Sequence, residues 1–308
     1  MNIVFMGTPE FAVPCLERLI ADGHNVKGVF TQPDKPKGRG HKMQFPPVKE
    51  CAVNNNIPVY QPAKMRDGEA LRILEELNPE LIIVVAYGKI LPKEILEFPK
   101  YGCVNMHASV LPRYRGAAPI QWCVLNGEKE SGVTAMQMDV GLDTGDMLLT
   151  KKVSISDDMT AGELHDELSV LGAQVMAETI EMIENNTLNP VKQVDSLSNY
   201  APMLSKELCP VDWSLSAQEV HNKVRGLSPW PVATTTLNGK LLKIHRTQLC
   251  GKSKGQCGEI VKADKELIVA CGDGSAVKVL TVQAEGKRAM PAEDFLRGNP
   301  VETGTILK

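Results

Sequence analysis

LIIVVAYG, residues 81–88, is apolar at every position from Leu81 to Val85. A strand with one wet face alternates apolar and polar residues; this one does not, so both of its faces meet other parts of the protein. A parallel strand covered by helices on each side has this composition. GEALRILEELN (68–78), just before it, repeats apolar residues at helical spacing and supplies one such helix.

Working outward, NIVFMG (2–7) reads as a buried strand and TPEFAVPCLERLIADG (8–23) as a helix, with Thr8 as N-cap and Pro9 at the first helical position. VKGVFT (26–31), a helix over VKECAVNNN (48–56) and a short strand IPVYQ (57–61) follow. The alternation predicts right-handed βαβ units and an α/β, Rossmann-like open parallel sheet. It continues through CVNMH (103–107), a helix near 117–127 and a strand GVTAMQM (132–138). A long helix starts at Thr160, where Thr160 and Glu163 form a capping box and Leu164, Leu168, Leu171 and Val175 make the apolar stripe.

The texture changes near residue 190, where polar residues and prolines are mixed. We expect a first domain over 1–189, a linker over 190–206 and a second domain over 207–308. The second domain opens on a helix capped by Ser216 and Glu219 and continues as short β segments broken by Gly-rich turns. That pattern predicts a small β-barrel, OB-like, or a sandwich. A chain ending near residue 205 is expected to fold, because the sheet and its long helix are complete.

Composition narrows the function. No run of eighteen apolar residues occurs, and no basic region precedes a long hydrophobic one at the start, so a membrane span and a secretory signal are not expected; the expected setting is the cytoplasm. The eight cysteines form no CxxC pair and the six histidines no metal-binding spacing, so no metal is expected. The first strand turn, GTPEFA, lacks the GxGxxG that brings backbone close to a pyrophosphate, which argues against a dinucleotide. Residues 207–308 carry 14 Lys+Arg against 11 Asp+Glu, whereas residues 1–206 carry 20 against 26, giving +3 and −6. The mildly basic end suits a polyanionic partner, and equally an ordinary solvated surface.

Chemistry concentrates after the strand CVNMH. Residues two apart in a strand share a face, so Asn105 and His107 point the same way at a C-terminal strand end. VGLDTGD (140–146) adds Asp143 and Asp146 on a Gly-punctuated loop. An amide donor, an imidazole and a carboxylate form a set suited to acyl transfer: one polarises an oxyanion, one moves a proton, one orients the imidazole. Taken singly, the same residues are turn-formers or satisfied polar groups. No activated Ser or Cys is needed if the nucleophile belongs to the substrate.

NMHASVLPRYRGAAPIQW (105–122) followed by GVTAMQMDVGLDTGDML (132–148) resembles the folate-dependent formyltransferases, and within them those that formylate methionyl-tRNA. GTPEFAVPCL, FTQPDKPKGRG, VVAYGKILP, DWSLSA (212–217) and SPWPVA (228–233) extend the resemblance along the chain. It implies that Asn105, His107 and Asp143 are catalytic and that Ser109, Val110, Leu111 and Pro112 form part of a tetrahydrofolate pocket. Val110 stands where the family commonly shows leucine. The implied reaction moves a formyl group from 10-formyltetrahydrofolate to the α-amine of methionine on initiator tRNA. Asn105 would hold the oxyanion, assisted by protonated His107, and either His107 or Asp143 takes the proton.

The Pro- and Gly-rich loop over residues 31–49 carries Lys35, Lys37, Arg39 and Lys42, which composition alone would make a solvated surface loop and which the resemblance places against tRNA. Lys206, Lys223, Arg225, Lys240, Lys243 and Arg246 are the expected tRNA contacts of the second domain, and the protein is expected to be a monomer. Two rival readings are a formyltransferase for a small amine such as a sugar nucleotide, and an RNA-binding protein without activity.

Overall fold

The computed structural model describes residues 1–37 and 42–308. In chain order the first part contains β1 Asn2–Gly7, α1 Val13–Ala21, β2 Asn25–Phe30, the short strands β3 Lys35–Lys37 and β4 Lys42–Gln44, α2 Pro47–Asn54, β5 Val59–Tyr60, α3 Glu69–Leu77, β6 Leu81–Val85 and α4 Lys93–Leu96. Then come β7 Cys103–His107, β8 Arg115–Gly116, α5 Pro119–Leu125, β9 Glu130–Gln137, β10 Met147–Ser154, α6 Ala161–Glu184 and β11 Tyr200–Ala201.

Seven of these strands form a sheet in the order β10-β9-β7-β6-β1-β2-β5. From β5 to β7 every pairing is parallel. β6 is buried along its whole length, as its unbroken apolar run requires. Val4, Ile82, Leu74 and Tyr87 belong to one core cluster that joins β1, β6 and α3.

Two local expectations change. The α-helix after β1 begins at Val13, behind a 3-10 turn over Glu10–Ala12, and Thr8 is not its cap. The Thr8 hydroxyl donates to the Tyr87 carbonyl and accepts from the Gln32 N–H, so it joins strand ends and is spent there. The sheet is also not wholly parallel: β9 runs antiparallel to β7, with His107 opposite Thr134 and Asn105 opposite Met136. A parallel return needs a crossover laid on the sheet. The intervening residues pack elsewhere, and the chain re-enters in the opposite direction.

By its packing the chain forms two units. One comprises Met1–Gly116, Gly132–Val153 and His165–Tyr200; the other comprises Ala117–Ser131, Ser154–Leu164 and Ala201–Lys308. The linear division at 189 and 207 stays our proposal for domain boundaries; packing adds two short earlier segments to the C-terminal group.

In the first unit α6 lies against β7. A Cβ on Gly172 would fall 2.1 Å from the Met106 sulfur, so any larger residue there requires the buried Met106 side chain to move. Leu168 and Val175 of the expected stripe are buried and Leu171 is half-buried.

The second unit holds α5, α7 Ala217–Gly226, β12 Ala233–Leu237, β13 Lys240–Lys252, β14 Ile260–Ala263, β15 Leu267–Ala270, β16 Ser275–Ala284, β17 Met290–Pro291 and α8 Ala292–Gly298. Its six strands make an antiparallel sheet in the order β12-β13-β16-β15-β14, with β17 added on β16. Both predicted capping boxes form: Ser216 with Glu219, and Thr160 with Glu163. Val220, Val224, Leu227, Ile244, Val277 and Phe295 lie in its core, and Trp122 and Leu125 of α5 pack against that core.

Candidate active site

β7 ends the parallel run and carries Asn105 and, at its last position, His107. Asn105 is half-buried, and its side chain makes no hydrogen bond among the described residues. It is not a sealed-in defect, because among the described residues no buried side-chain nitrogen or oxygen lacks a partner. His107 is nearly closed off, with its side chain 6% exposed. Its Nε2 lies 2.8 Å from the Tyr114 carbonyl oxygen. A carbonyl can only accept, so Nε2 carries hydrogen and Nδ1 is the nitrogen left over. Nδ1 stands 3.7 Å from Asp143 Oδ2.

Asp143 is aimed by its loop. Asp139 starts the turn by accepting from the Gly141 N–H at 3.0 Å and from the Thr144 hydroxyl at 2.7 Å. At Gly145 any Cβ would sit 1.7 Å from the Gln137 carbonyl oxygen, so the sequence DTGD needs glycine there. Asp143 itself has φ +54°, and its Oδ2 accepts from the Gly116 N–H at 2.8 Å. The structure therefore brings His107 and Asp143 together, with Asn105 two residues before His107 on the same strand. Asp146, the second loop carboxylate, shows no contact with His107.

Ser109, Val110, Leu111 and Pro112 form a self-bonded turn. The Ser109 hydroxyl donates to the Arg113 carbonyl at 2.6 Å. Thr134 fastens the turn by donating to the Ser109 carbonyl and accepting from the Leu111 N–H. Ser109 and Leu111 are buried, whereas Val110 and Pro112 are half-buried. Thr134 and Gln193 are supports that the sequence did not single out. Gln193 falls in the expected linker and donates to the backbone of the Asp143 loop, a long-range bond with no local signal.

Within residues 31–49, β3 and β4 pair as a hairpin, Lys35 opposite Gln44. Lys35 is exposed; Arg39 lies outside the described residues. Lys49 near the hairpin's base is paired with Asp34 at 2.7 Å, and that bond, with one from Gln61, holds the Asp34 carboxyl below its ordinary value.

The second-unit lysines separate into kinds. Lys206 and Lys240 are exposed, and Lys223 and Lys243 are half-buried. Burial raises the Cys209 thiol, while the ammonium groups of Lys223, Lys243 and Lys206 pull it the other way. Arg246 is ion-paired with Glu163. Arg225 is a correction. It is 3% exposed, its Nε and Nη2 donate to Asn222 Oδ1, and Nη1 donates to the carbonyls of Ser156 and Met159, so it cannot meet a phosphate.

Among the described residues, no cluster of metal-ligating side chains occurs and no helix is long and apolar enough to cross a membrane. The eight cysteines are all free thiols.

The family profile "Formyl transferase" matches residues 1–180, and "Formyl transferase, C-terminal domain" matches residues 203–300. The chain belongs to the formyl transferase family. Among curated formyl transferases it is 52% identical to a methionyl-tRNA formyltransferase of Clostridium novyi, covering 100% of both chains. It is 53% identical to one of Citrifermentans bemidjiense, covering 100% of this chain and 96% of that one. Among solved structures, an N-formyltransferase from Helicobacter canadensis, in complex with folinic acid and dTDP-3-aminofucose, superimposes with a TM-score of 0.71 at 23% identity, over 92% of this chain and 98% of that one. A methionyl-tRNA formyltransferase from Clostridium thermocellum gives 0.56 at 18% identity, over 80% and 93%. At those identities the likeness is one of fold.

Proposed function

We propose that this chain transfers the formyl group of 10-formyltetrahydrofolate to the α-amine of methionine carried by initiator tRNA, giving formylmethionyl-tRNA. Full-length kinship above 50% with methionyl-tRNA formyltransferases supports the acceptor. The observation that carries the chemistry is the unpartnered Asn105 amide beside His107 and Asp143.

The amine attacks the formyl carbon, a C–N bond forms and the carbonyl oxygen becomes an oxyanion. Asn105 has two N–H hydrogens to give, and it donates to that oxygen in a setting where no protein group competes. The tetrahedral intermediate collapses by breaking the bond to N10 of the folate. In balance, the amine loses one proton and N10 gains one. His107 Nδ1 and Asp143 Oδ1 are the atoms available to carry it, because Nε2 is tied to Tyr114 and Oδ2 to Gly116. At 3.7 Å the two residues suit a bridging water or the amine itself.

Val110 and Pro112 are proposed to wall the folate, with Ser109 and Leu111 acting from beneath as structure. The tRNA backbone is met by Lys206, Lys223, Lys240 and Lys243, together with Lys35, Lys37, Arg39 and Lys42, mostly through phosphate contacts. Arg246 joins them on leaving Glu163. The protein acts as a cytoplasmic monomer. Incubating it with formyl-labelled 10-formyltetrahydrofolate and methionylated initiator tRNA should place the label on the methionine amine; label transferred to an amino sugar nucleotide instead would replace this acceptor.

A further inference from the structure

Gln193 is half-buried, whereas Val191, Lys192, Val194 and Asp195 around it are exposed. Its carboxamide has two N–H hydrogens and gives both to one loop: to the Asp143 carbonyl at 2.8 Å and the Gly145 carbonyl at 2.7 Å. Its Oε1 accepts from Arg115 Nε at 3.0 Å, and Arg115 Nη2 is paired with Asp195 at 2.8 Å. The next residue, Gly116, donates its N–H to Asp143 Oδ2. Asp143 is therefore held inside a closed ring of bonds: by its side chain through Gly116, by its main chain through Gln193, with Arg115 completing the circuit.

We propose that Gln193 is a positioning residue for Asp143, setting the direction of its carboxylate by clamping the main chain on which it stands. Asp143 occupies a left-handed backbone state at φ +54°, which a non-glycine residue keeps only when its surroundings hold it there. Glycines at 141 and 145 remove stiffness from the loop's own backbone. Two carbonyl oxygens brought to one side repel unless a donor lies between them, and the Gln193 amide is that donor. Without it the Asp143 and Gly145 peptide planes are free to turn, and the Asp143 carboxylate turns with them. A bland alternative is that Gln193 merely fastens residues 190–200, in which case its loss lowers stability without acting through Asp143.

This inference rests on the catalytic role proposed for Asp143, and two readouts separate their failures. Gln193→Glu puts an acceptor against two acceptors, and Gln193→Met keeps the length without hydrogen bonds, so one of them serves if the other folds poorly. Either should lower kcat roughly 10- to 100-fold, the usual effect of losing a group that orients a reacting one. KM for both substrates should stay within about three-fold, because a positioning role engages the Gln193 amide with the Asp143 loop and Arg115 and not with a substrate. Added to Asp143→Ala, the same substitution should cost no further activity. Amide hydrogen exchange at Gly116, followed by NMR, should speed up in both Gln193 variants, since the Oδ2 acceptor is no longer aimed at that N–H. Losses that multiply in the double variant, or an unchanged Gly116 exchange rate, would overturn the positioning role. A wild-type protein without formyl transfer would instead sink the proposed function, and the exchange measurement would still decide the role of Gln193.

Discussion

Nδ1 of His107 stands 3.7 Å from Oδ2 of Asp143, while Nε2 of the same ring is fixed to the Tyr114 carbonyl at 2.8 Å. The imidazole is thus oriented by a backbone carbonyl rather than by the carboxylate, and its exchangeable nitrogen shares an open gap with Asp143. Catalytic contacts of this length close when substrate arrives. The two residues should therefore behave as one proton-handling unit.

On that footing His107→Ala and Asp143→Ala should each lower kcat by on the order of 100-fold, as expected for loss of general acid-base help. The double variant should be no worse than the poorer single one. Steady-state rates for the three variants check this; fully multiplicative losses would mean that the two residues act separately.

Much of this site was legible in the sequence, for a physical reason. Asn105 and His107 share a strand face because strands have a period of two, and DTGD marks a tight loop because Gly145 allows no Cβ. What stayed hidden depends on long-range hydrogen bonds. Gln193 lies 50 residues from Asp143 and carries no periodic or turn signal. The reversal of β9 was equally invisible, since GVTAMQM is apolar enough for either direction and only the packing of residues 117–131 decides it. Arg225 read as a surface cation because nothing local reveals that Ser156 and Met159 present carbonyls to it.

That burial separates Arg225 from Lys240. Arg225→Ala removes four donated bonds at once; Asn222 Oδ1 keeps the Gln218 amide and the Ser156 carbonyl keeps the Met159 N–H, so the Met159 carbonyl is the group left without a donor, at a cost of about 1–3 kcal/mol. The melting temperature should fall clearly. Lys240→Ala should leave melting unchanged and weaken tRNA binding in a salt-dependent way, flattening the slope of log K against log salt by roughly 0.7 to 0.9 units. Melting curves and binding titrations at several salt concentrations distinguish the two; a thermally silent Arg225→Ala would contradict the structural role.

His221 gives the second unit a pH dependence. Its side chain is 1% exposed, and burial lowers its pKa from the ordinary 6.5, partly opposed by its bond to the Asp157 carbonyl and by the Asp158 carboxylate 3.4 Å away. Nδ1 is bonded to the Thr247 hydroxyl at 2.9 Å. Because the folded pKa is the lower one, the unfolded chain takes up the proton first as pH falls below 6.5. Stability should decline through that window and level off once the folded state is protonated too. An NMR titration of the His221 ring should show a midpoint below 6.5; a midpoint above it would reverse the sign.

Cutting the chain at residue 205 should not leave a well-behaved first domain, contrary to the expectation from sequence. Trp122 and Leu125 of α5 pack on the C-terminal core, and each large apolar side chain exposed by its removal forfeits roughly 1.5–3 kcal/mol. The truncated chain should aggregate or bind a hydrophobic dye. A soluble, cooperatively melting fragment would show that α5 and residues 154–164 find other partners.

The kcat of Asn105→Ala with methionylated initiator tRNA and 10-formyltetrahydrofolate, both saturating, tests the account at its centre. The Asn105 side chain makes no hydrogen bond among the described residues, so its truncation should leave melting within the scatter of a surface change, about 0.5 kcal/mol. An oxyanion donor lost from such a site lowers turnover roughly 100- to 1,000-fold. A folded variant slowed by that factor is the predicted result. Near-normal turnover in a folded Asn105→Ala protein would contradict it, because the amide left unpartnered on β7 would then have no part in the transfer.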